Sequence, residues 1–160
     1  MSAALYGADQ ARKPDIYLRE YHRLFAPLRS LPIRLLELGV RYGPSMKMWE
    51  KYFPRATVVG LDGEAKPASF PTDQRFHFVW RAQDDPALLD QAIALAGGPF
   101  DIVIDDCSHL GCHTARAWDD WLRKQLLDHS QALTAAGAYT EYPIERLTVM
   151  TNIAILHKAK

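Results

Sequence analysis

33-IRLLELGVRYGPS-45 is the stretch whose reading decides the fold. Ile33, Leu35, Leu36 and Leu38 make a short apolar run, the pattern of a strand buried on both faces. Gly39 ends that run. Gly43 and Pro44 then open a second pattern, Met46, Trp49 and Phe53, at helical spacing. A strand, a glycine turn and a helix form the first unit of a nucleotide-binding α/β fold, in which ligands bind outside the carboxyl ends of the strands. A second strand, from Thr57 to Leu61, ends in Asp62. An acid about 20 residues beyond the glycine turn is placed to hold the two hydroxyls of a ribose. The stretch therefore predicts a site for an adenosine-containing ligand.

What the turn lacks narrows the ligand. A dinucleotide site needs G-x-G-x-x-G, with backbone N–H groups free at the helix start to hold a pyrophosphate. Here the spacing is Glu37-x-Gly39-x-x-x-Gly43, and Pro44 removes an N–H where a phosphate would need one. No Gly-Lys-Ser/Thr follows, so a Walker loop is excluded as well. Glu37 would repel a phosphate but suits a ligand that carries an ammonium and a sulfonium. S-adenosylmethionine has both, and a dinucleotide oxidoreductase is disfavoured.

Working outward, Asp15 can cap a helix whose apolar stripe is Leu18, Tyr21, Leu24 or Phe25, and Leu28, with Pro32 ending it. The helix after Gly43 stops at Pro54, and 66–72, with Pro67 and Pro71, reads as a loop. Phe76, Phe78 and Trp80 predict a third strand, after which Asp84 or Asp85 caps a helix that ends at Gly97-Gly98. Phe100 to Ile104 is a fourth strand reaching Asp105-Asp106, and Ser108 can cap a helix with Trp118, Trp121, Leu122 and Leu126 on its apolar face. Strands alternating with helices argue for a parallel sheet. Beyond about Gln125 the pattern weakens, although 147-LTVMTNIAIL-156 predicts one bent strand or a hairpin about Thr151-Asn152.

Composition bounds the class. The 160 residues are 48% hydrophobic and 24% charged, as in an ordinary globular domain. Lys plus Arg and Asp plus Glu are balanced at 19 each, which gives no overall field to attract nucleic acid or an acidic membrane. Arg12, Lys13, Arg19 and Arg23 read as a solvated helix face. No apolar run approaches the ~20 residues of a membrane span, and the first residues lack a basic-then-apolar leader pattern. Cys107 and Cys112 have no C-x-x-C spacing and read as reduced cytoplasmic thiols.

The densest chemistry lies in 101-DIVIDDCSHLGCH-113. Asp105 and Asp106 fall where the fourth strand meets its loop. His109 follows Asp106 by three positions and precedes His113 by four, so both imidazoles share a face if a helix has begun. Carboxylate and imidazole together can bind a divalent cation, and a histidine can take a proton from a hydroxyl. The plainer alternative is that Asp106 and Ser108 cap the helix and the histidines are surface residues. Plain readings also exist elsewhere: Glu37 as a strand end, Asp62 as a turn residue, and Asp84 as a cap. Gln83 and Asp84, just past the third strand, could otherwise reach an adenine ring.

Together YHRLFAPLRSLPIRLLELGVRYGPSMKMW, VVGLD and DIVIDDCSH with His113 resemble the class I S-adenosylmethionine-dependent methyltransferases, in particular the bacterial sugar O-methyltransferases of macrolide and rhamnosyl-polyketide pathways. The resemblance runs from about Tyr6 to Asp120 and again over the last strand. It implies that Glu37 and Gly39 hold the methionine part of the cofactor, that Asp62 binds its ribose, and that Asp106 and His109 supply a magnesium ligand and a base. Cys107 stands where that family's D-D-G-S-H motif has glycine, and its Pro-Gly-Gly turn and following acidic pair are absent. Gly137 to Glu141 is a faint echo, which makes Glu141 a weak candidate metal ligand.

The resulting expectation is one α/β domain over 1–160, with an N-terminal helical segment at 1–30 and a Rossmann-like core at 31–160. The core is a three-layer sandwich: a mostly parallel sheet with an antiparallel C-terminal strand and helices on both faces. The expected activity is S-adenosylmethionine-dependent methylation of a hydroxyl on a small glycosylated molecule, in the cytoplasm, with magnesium as a second cofactor candidate. Catalysis falls to His109 and Asp106, and cofactor binding to Glu37, Gly39, Gly43, Ser45, Asp62, Gln83, Asp84 and Asp105. The partner is a small-molecule acceptor, with no nucleic acid or membrane and with a homo-oligomer left open. The rival expectation is a shortened, non-catalytic domain of the same fold that serves binding or dimerisation.

Overall fold

Alternation along the strands divides the core in two. Leu35, Val58, Ile102 and Ile104 point to one face of a sheet, where they meet Phe25, Met46, Trp49 and Phe53. Leu36, Leu38, Val59, Leu61 and Val103 point to the other face and meet Leu88, Leu89 and Ala92. A strand covered on both sides needs apolar residues at every position, which is why the first strand reads as an unbroken run.

The computed structural model describes residues 13, 15–82, 85, 87–107, 144–150 and 153–158. In chain order its elements are α1 (Asp15–Phe25), a 3-10 turn (Ala26–Leu28), β1 (Arg34–Leu38), α2 (Pro44–Tyr52), β2 (Thr57–Asp62), β3 (Phe76–Trp80), α3 (Leu88–Ala96), β4 (Ile102–Asp105), β5 (Ile144–Met150) and β6 (Ile153–Lys158). The strands form one sheet in the order β3-β2-β1-β4-β6-β5. β1 pairs parallel with β2 and β4, and β2 pairs parallel with β3. β6 pairs antiparallel with β4 and with β5. The chain steps outward from β1 to β3 and then returns to the far side of β1 as β4. The switch in strand order therefore lies between the carboxyl ends of β1 and β4, the usual place for a ligand crevice.

Element ends follow local chemistry. β4 begins at Ile102, later than the apolar run suggests; just ahead of it the Asp101 N–H donates to the Arg34 carbonyl at 2.9 Å and the Asp101 carboxylate accepts the Arg34 N–H at 2.8 Å. Asp15 is the first residue of α1 and puts an acid in its first turn. Asp85 accepts the Ala87 N–H at 2.8 Å just ahead of α3. The left-handed Gly97 ends α3.

Two strand ends and a loop are drawn together over Gly39. Its N–H and that of Val40 both donate to the Leu61 carbonyl, at 2.9 and 3.1 Å, and the Asp106 N–H donates to the Leu38 carbonyl at 2.9 Å. Gly39 has φ +84°, and a Cβ there would overlap the Asp106 carbonyl oxygen and lie 2.6 Å from the Cys107 Cα. Gly39→Ala should therefore lower stability in urea unfolding by about 2–4 kcal/mol, combining left-handed strain with overpacking. Gly63→Ala, with nothing within 4 Å of its would-be Cβ, should stay within about 0.5 kcal/mol of the parent.

Candidate functional site

Glu37 is the chemical centre of the β1 end. It is fully buried on the α2 face of the sheet, where a strand residue is ordinarily apolar. The Trp49 indole N–H, one and a half turns into α2, donates to Oε2 at 2.7 Å and fixes the carboxylate plane. The other oxygen, Oε1, lies 3.7 Å from the Lys13 ammonium, within ion-pair range but too far for a hydrogen bond, and no hydrogen bond from the described residues reaches it. Burial pushes the carboxyl of Glu37 up, and the charge of Asp106 adds to this. Lys13 and hydrogen bonds from Trp49 and Ser45 act the other way without cancelling it.

Lys13 also makes an ion pair and hydrogen bond with the Asp106 carboxylate. Burial lowers its affinity for a proton, but the charges of Glu37 and Asp106 more than reverse this, so the ammonium stays charged. The reading of Lys13 as part of a solvated helix face is therefore corrected. Arg19 and Arg23 are exposed, and Arg23 pairs with Glu20, but Lys13 precedes α1 and turns inward between two carboxylates.

Tyr21, read from the sequence only as an apolar stripe residue, belongs to the same neighbourhood. Its ring packs on Trp49 with centroids 5.2 Å apart, and its buried hydroxyl has no hydrogen-bond partner among the described residues. Burial first, then the charges of Glu37 and Asp106, hold the phenol well above its ordinary pKa. A buried donor and a buried acceptor without hydrogen bonds, beside a paired lysine, are unusual in a protein core.

The rest of the edge is built by backbone. Asp62, at the end of β2, accepts the Arg41 N–H at 2.6 Å and the Glu64 N–H at 2.9 Å, so the acid and the glycine turn stand side by side. Arg41 is held at φ 43°, and Gly39 and Gly43 both lie at φ 84°. The turn thus reverses its backbone at alternate residues, and the middle reversal falls on a residue with a side chain. Gly43 precedes α2, and a Cβ there would come within 2.8 Å of the Ser69 hydroxyl, so the 66–72 loop closes over the helix start. Ser45 is buried in the first turn of α2. Asp105 is buried at the end of β4 and accepts the Cys107 N–H at 3.2 Å.

The structure therefore brings Glu37, Gly39, Gly43, Ser45, Asp62, Asp105 and Asp106 to one sheet edge. Gln83, Asp84, His109, His113 and Glu141 lie outside the described residues. Among the described residues no group of three or more His, Cys, Asp or Glu could hold a metal ion. None of the described helices is long and apolar enough to cross a membrane.

No protein-family model matches the chain. Individual proteins do. A 108-residue stretch, 63% of this chain, is 41% identical to 26% of the 8-demethyl-8-(2-methoxy-alpha-L-rhamnosyl)-tetracenomycin-C 3'-O-methyltransferase of Streptomyces olivaceus. A 100-residue stretch, 58% of this chain, is 40% identical to 24% of the mycinamicin VI 2''-O-methyltransferase of Micromonospora griseorubida. Its relatives are sugar O-methyltransferases. The chain spans about a quarter of the length of these two curated relatives. Among solved structures, the methyltransferase MycE from the mycinamycin pathway, in complex with Mg and SAH, superposes with a TM-score of 0.67 at 26% identity over 90% of this chain and 50% of MycE. The fold is the Rossmann-like fold of these methyltransferases, as the sheet order and the ligand edge indicate.

The raised carboxyl of Glu37 has a measurable consequence. A carboxyl held above its ordinary value favours folding while protonated, and that contribution is lost as pH rises through the shifted value. Glu37→Gln mimics the protonated form and keeps an acceptor for Trp49. Relative to the parent, this variant should gain stability as pH rises above the ordinary carboxyl value of 4.5, and should match it in more acid solution. Denaturant midpoints across pH would show this; parallel curves would contradict it.

Proposed function

We propose that the chain is a methyltransferase domain that binds S-adenosylmethionine and methylates a hydroxyl of a small glycosylated molecule. The observation that carries this reading is the hydrogen bond from the Arg41 backbone to Asp62. It sets the ribose-binding acid and the glycine turn against each other, with the buried Glu37 behind them. The residues suit the cofactor: an acceptor without a hydrogen bond from the described residues at Glu37 for its ammonium, an acid at Asp62 for its ribose, and a proline at the first position of α2, which offers a phosphate no N–H. The named activities of the relatives support the same reaction class and a sugar-bearing acceptor.

S-adenosylmethionine supplies a methyl group already activated on a sulfonium. The protein then has to align the acceptor hydroxyl with that methyl and exclude water, and orientation of this kind contributes roughly 7–11 kcal/mol at best. Asp106 stands at the crevice where an acceptor would approach. His109, three positions on, is the proposed base that receives the hydroxyl proton on an imidazole nitrogen, an effect worth about 10²–10⁴-fold. A magnesium ion beside Asp106 would help to orient the hydroxyl. However, the Asp106 carboxylate is taken by Lys13, so no step is assigned to the metal.

The rival, a non-catalytic domain of the same fold, draws on that ion pair and on β4, both of whose edges are taken by β1 and the antiparallel β6. Calorimetry separates the two. The working enzyme should bind S-adenosylhomocysteine, and His109→Ala should lose at least about 100-fold in turnover with its affinity for that product unchanged. A folded protein that does not bind the product would favour the rival. Turnover that survives the substitution would remove His109 as the base.

A further inference from the structure

The family resemblance assigns Asp106 to magnesium, and the structure shows what balances its charge instead. Its carboxylate makes an ion pair and a hydrogen bond with the Lys13 ammonium. The lysine side chain is 9% exposed and the aspartate 23%, so salt and water screen the pair only in part. The same ammonium lies 3.7 Å from Oε1 of Glu37, whose side chain is wholly buried. One cation therefore serves two carboxylates, and it comes from the segment ahead of α1, not from the strands that carry them. Asp105, the neighbouring acid, is buried and accepts the Cys107 N–H at 3.2 Å. Backbone fixes Asp106 as well, through its N–H on the Leu38 carbonyl at 2.9 Å.

A divalent cation could reach this carboxylate in two ways, and both are opposed. Beside the ammonium, it would meet a like charge across a shared carboxylate in a weakly screened place. In place of the ammonium, it would draw Lys13 away from Glu37 and leave a buried carboxylate without its counter-charge. We infer that Lys13 is the resident cation at Asp106, standing where a divalent metal would bind, and that this acid takes no magnesium. The inference rests on the methyltransferase reading for the place of Asp106 at the acceptor crevice. An ammonium neutralises the aspartate but has no open coordination position with which to hold an acceptor oxygen. Alignment of the acceptor then falls to hydrogen bonding and packing, and removal of its proton to the proposed base.

Titration with Mn²⁺ at neutral pH tests this, because manganese takes the same oxygen ligands as magnesium and its free form is counted by electron paramagnetic resonance. Lys13→Met removes the resident charge and keeps an unbranched stem. It should bind Mn²⁺ at least about 10-fold more tightly than the parent, as relief of a like-charge contact allows. Adding Asp106→Asn to that variant should cancel the gain. Lys13→Arg, which keeps the charge, should bind no more tightly than the parent. Lys13→Gln makes the same comparison should the methionine variant fail to fold.

A neutral residue at position 13 that brings no gain in Mn²⁺ affinity would overturn the inference. So would a gain that survives Asp106→Asn, since the new site would then lie elsewhere. Binding of Mn²⁺ by the parent that Asp106→Asn alone abolishes would also overturn it, because metal and ammonium would then share the acid. These titrations need neither acceptor nor cofactor, so their outcome is separate from that of the methyltransferase reading. Failure of that reading would show instead as a folded parent that does not bind S-adenosylhomocysteine.

Discussion

Everything at the carboxyl edge of the sheet depends on how closely the chain passes over Gly39. The loop leaving β4 lies on that residue's α-carbon, and the turn leaving β1 donates two N–H groups to a single carbonyl of β2, that of Leu61. Three strand ends are thereby joined by main chain alone, before any side chain contributes. This explains why the acids at the ends of β1, β2 and β4 converge although they lie far apart in sequence. The convergence is a property of strand order and one missing Cβ, and it sets the distances within which the side-chain chemistry must work.

Placing a carboxylate under that seam has an electrostatic cost that the surroundings partly offset. Glu37 occupies a position that strand alternation assigns to the same face as Leu35 and Val58. It is tolerated there because α2 delivers an indole N–H and the start of the chain delivers an ammonium. The aromatic cluster of Tyr21, Phe25, Trp49 and Phe53 fixes α1 against α2. The residues that neutralise the acid are therefore held by the same packing that stabilises the domain. A buried charge with one oxygen lacking a hydrogen bond is a poor contributor to stability, which argues that its place is kept for a ligand.

Much of this architecture was legible in the residues. Period-two and unbroken apolar runs marked β1 to β4 because those strands are buried on one or both faces, and the glycines, prolines and acids marked where they ended. Glu37, Asp62 and Asp106 stand out in the sequence because each charge ends an apolar run, and the structure gathers the three at one edge of the sheet. Lys13 and Tyr21 were not found. A lysine ahead of an amphipathic helix looks like any solvated cation, and a tyrosine on an apolar stripe looks like core. Only the packing of α1 on α2 shows that both face the same carboxylate. Arg41 escaped for a similar reason: the left-handed backbone it adopts leaves no mark on a residue that is not glycine. β4 starts two residues later than the apolar run because the Asp101 side chain supplies one of the two hydrogen bonds to Arg34 there, in place of a main-chain acceptor.

Arg41 sets a condition on the acid beside it. Its backbone is held at φ 43°, a conformation that opposes a residue with a Cβ by roughly 1–2 kcal/mol, and the Asp62 carboxylate is the clamp that takes up its N–H. The acid at the end of β2 thus carries the loop geometry as well as the hydroxyl-binding role proposed for it. A glycine at this place would hold the same backbone without strain and would loosen the tie between the turn and that acid. Here the two are tied, and the chain has less freedom to drift at position 62 while position 41 remains arginine.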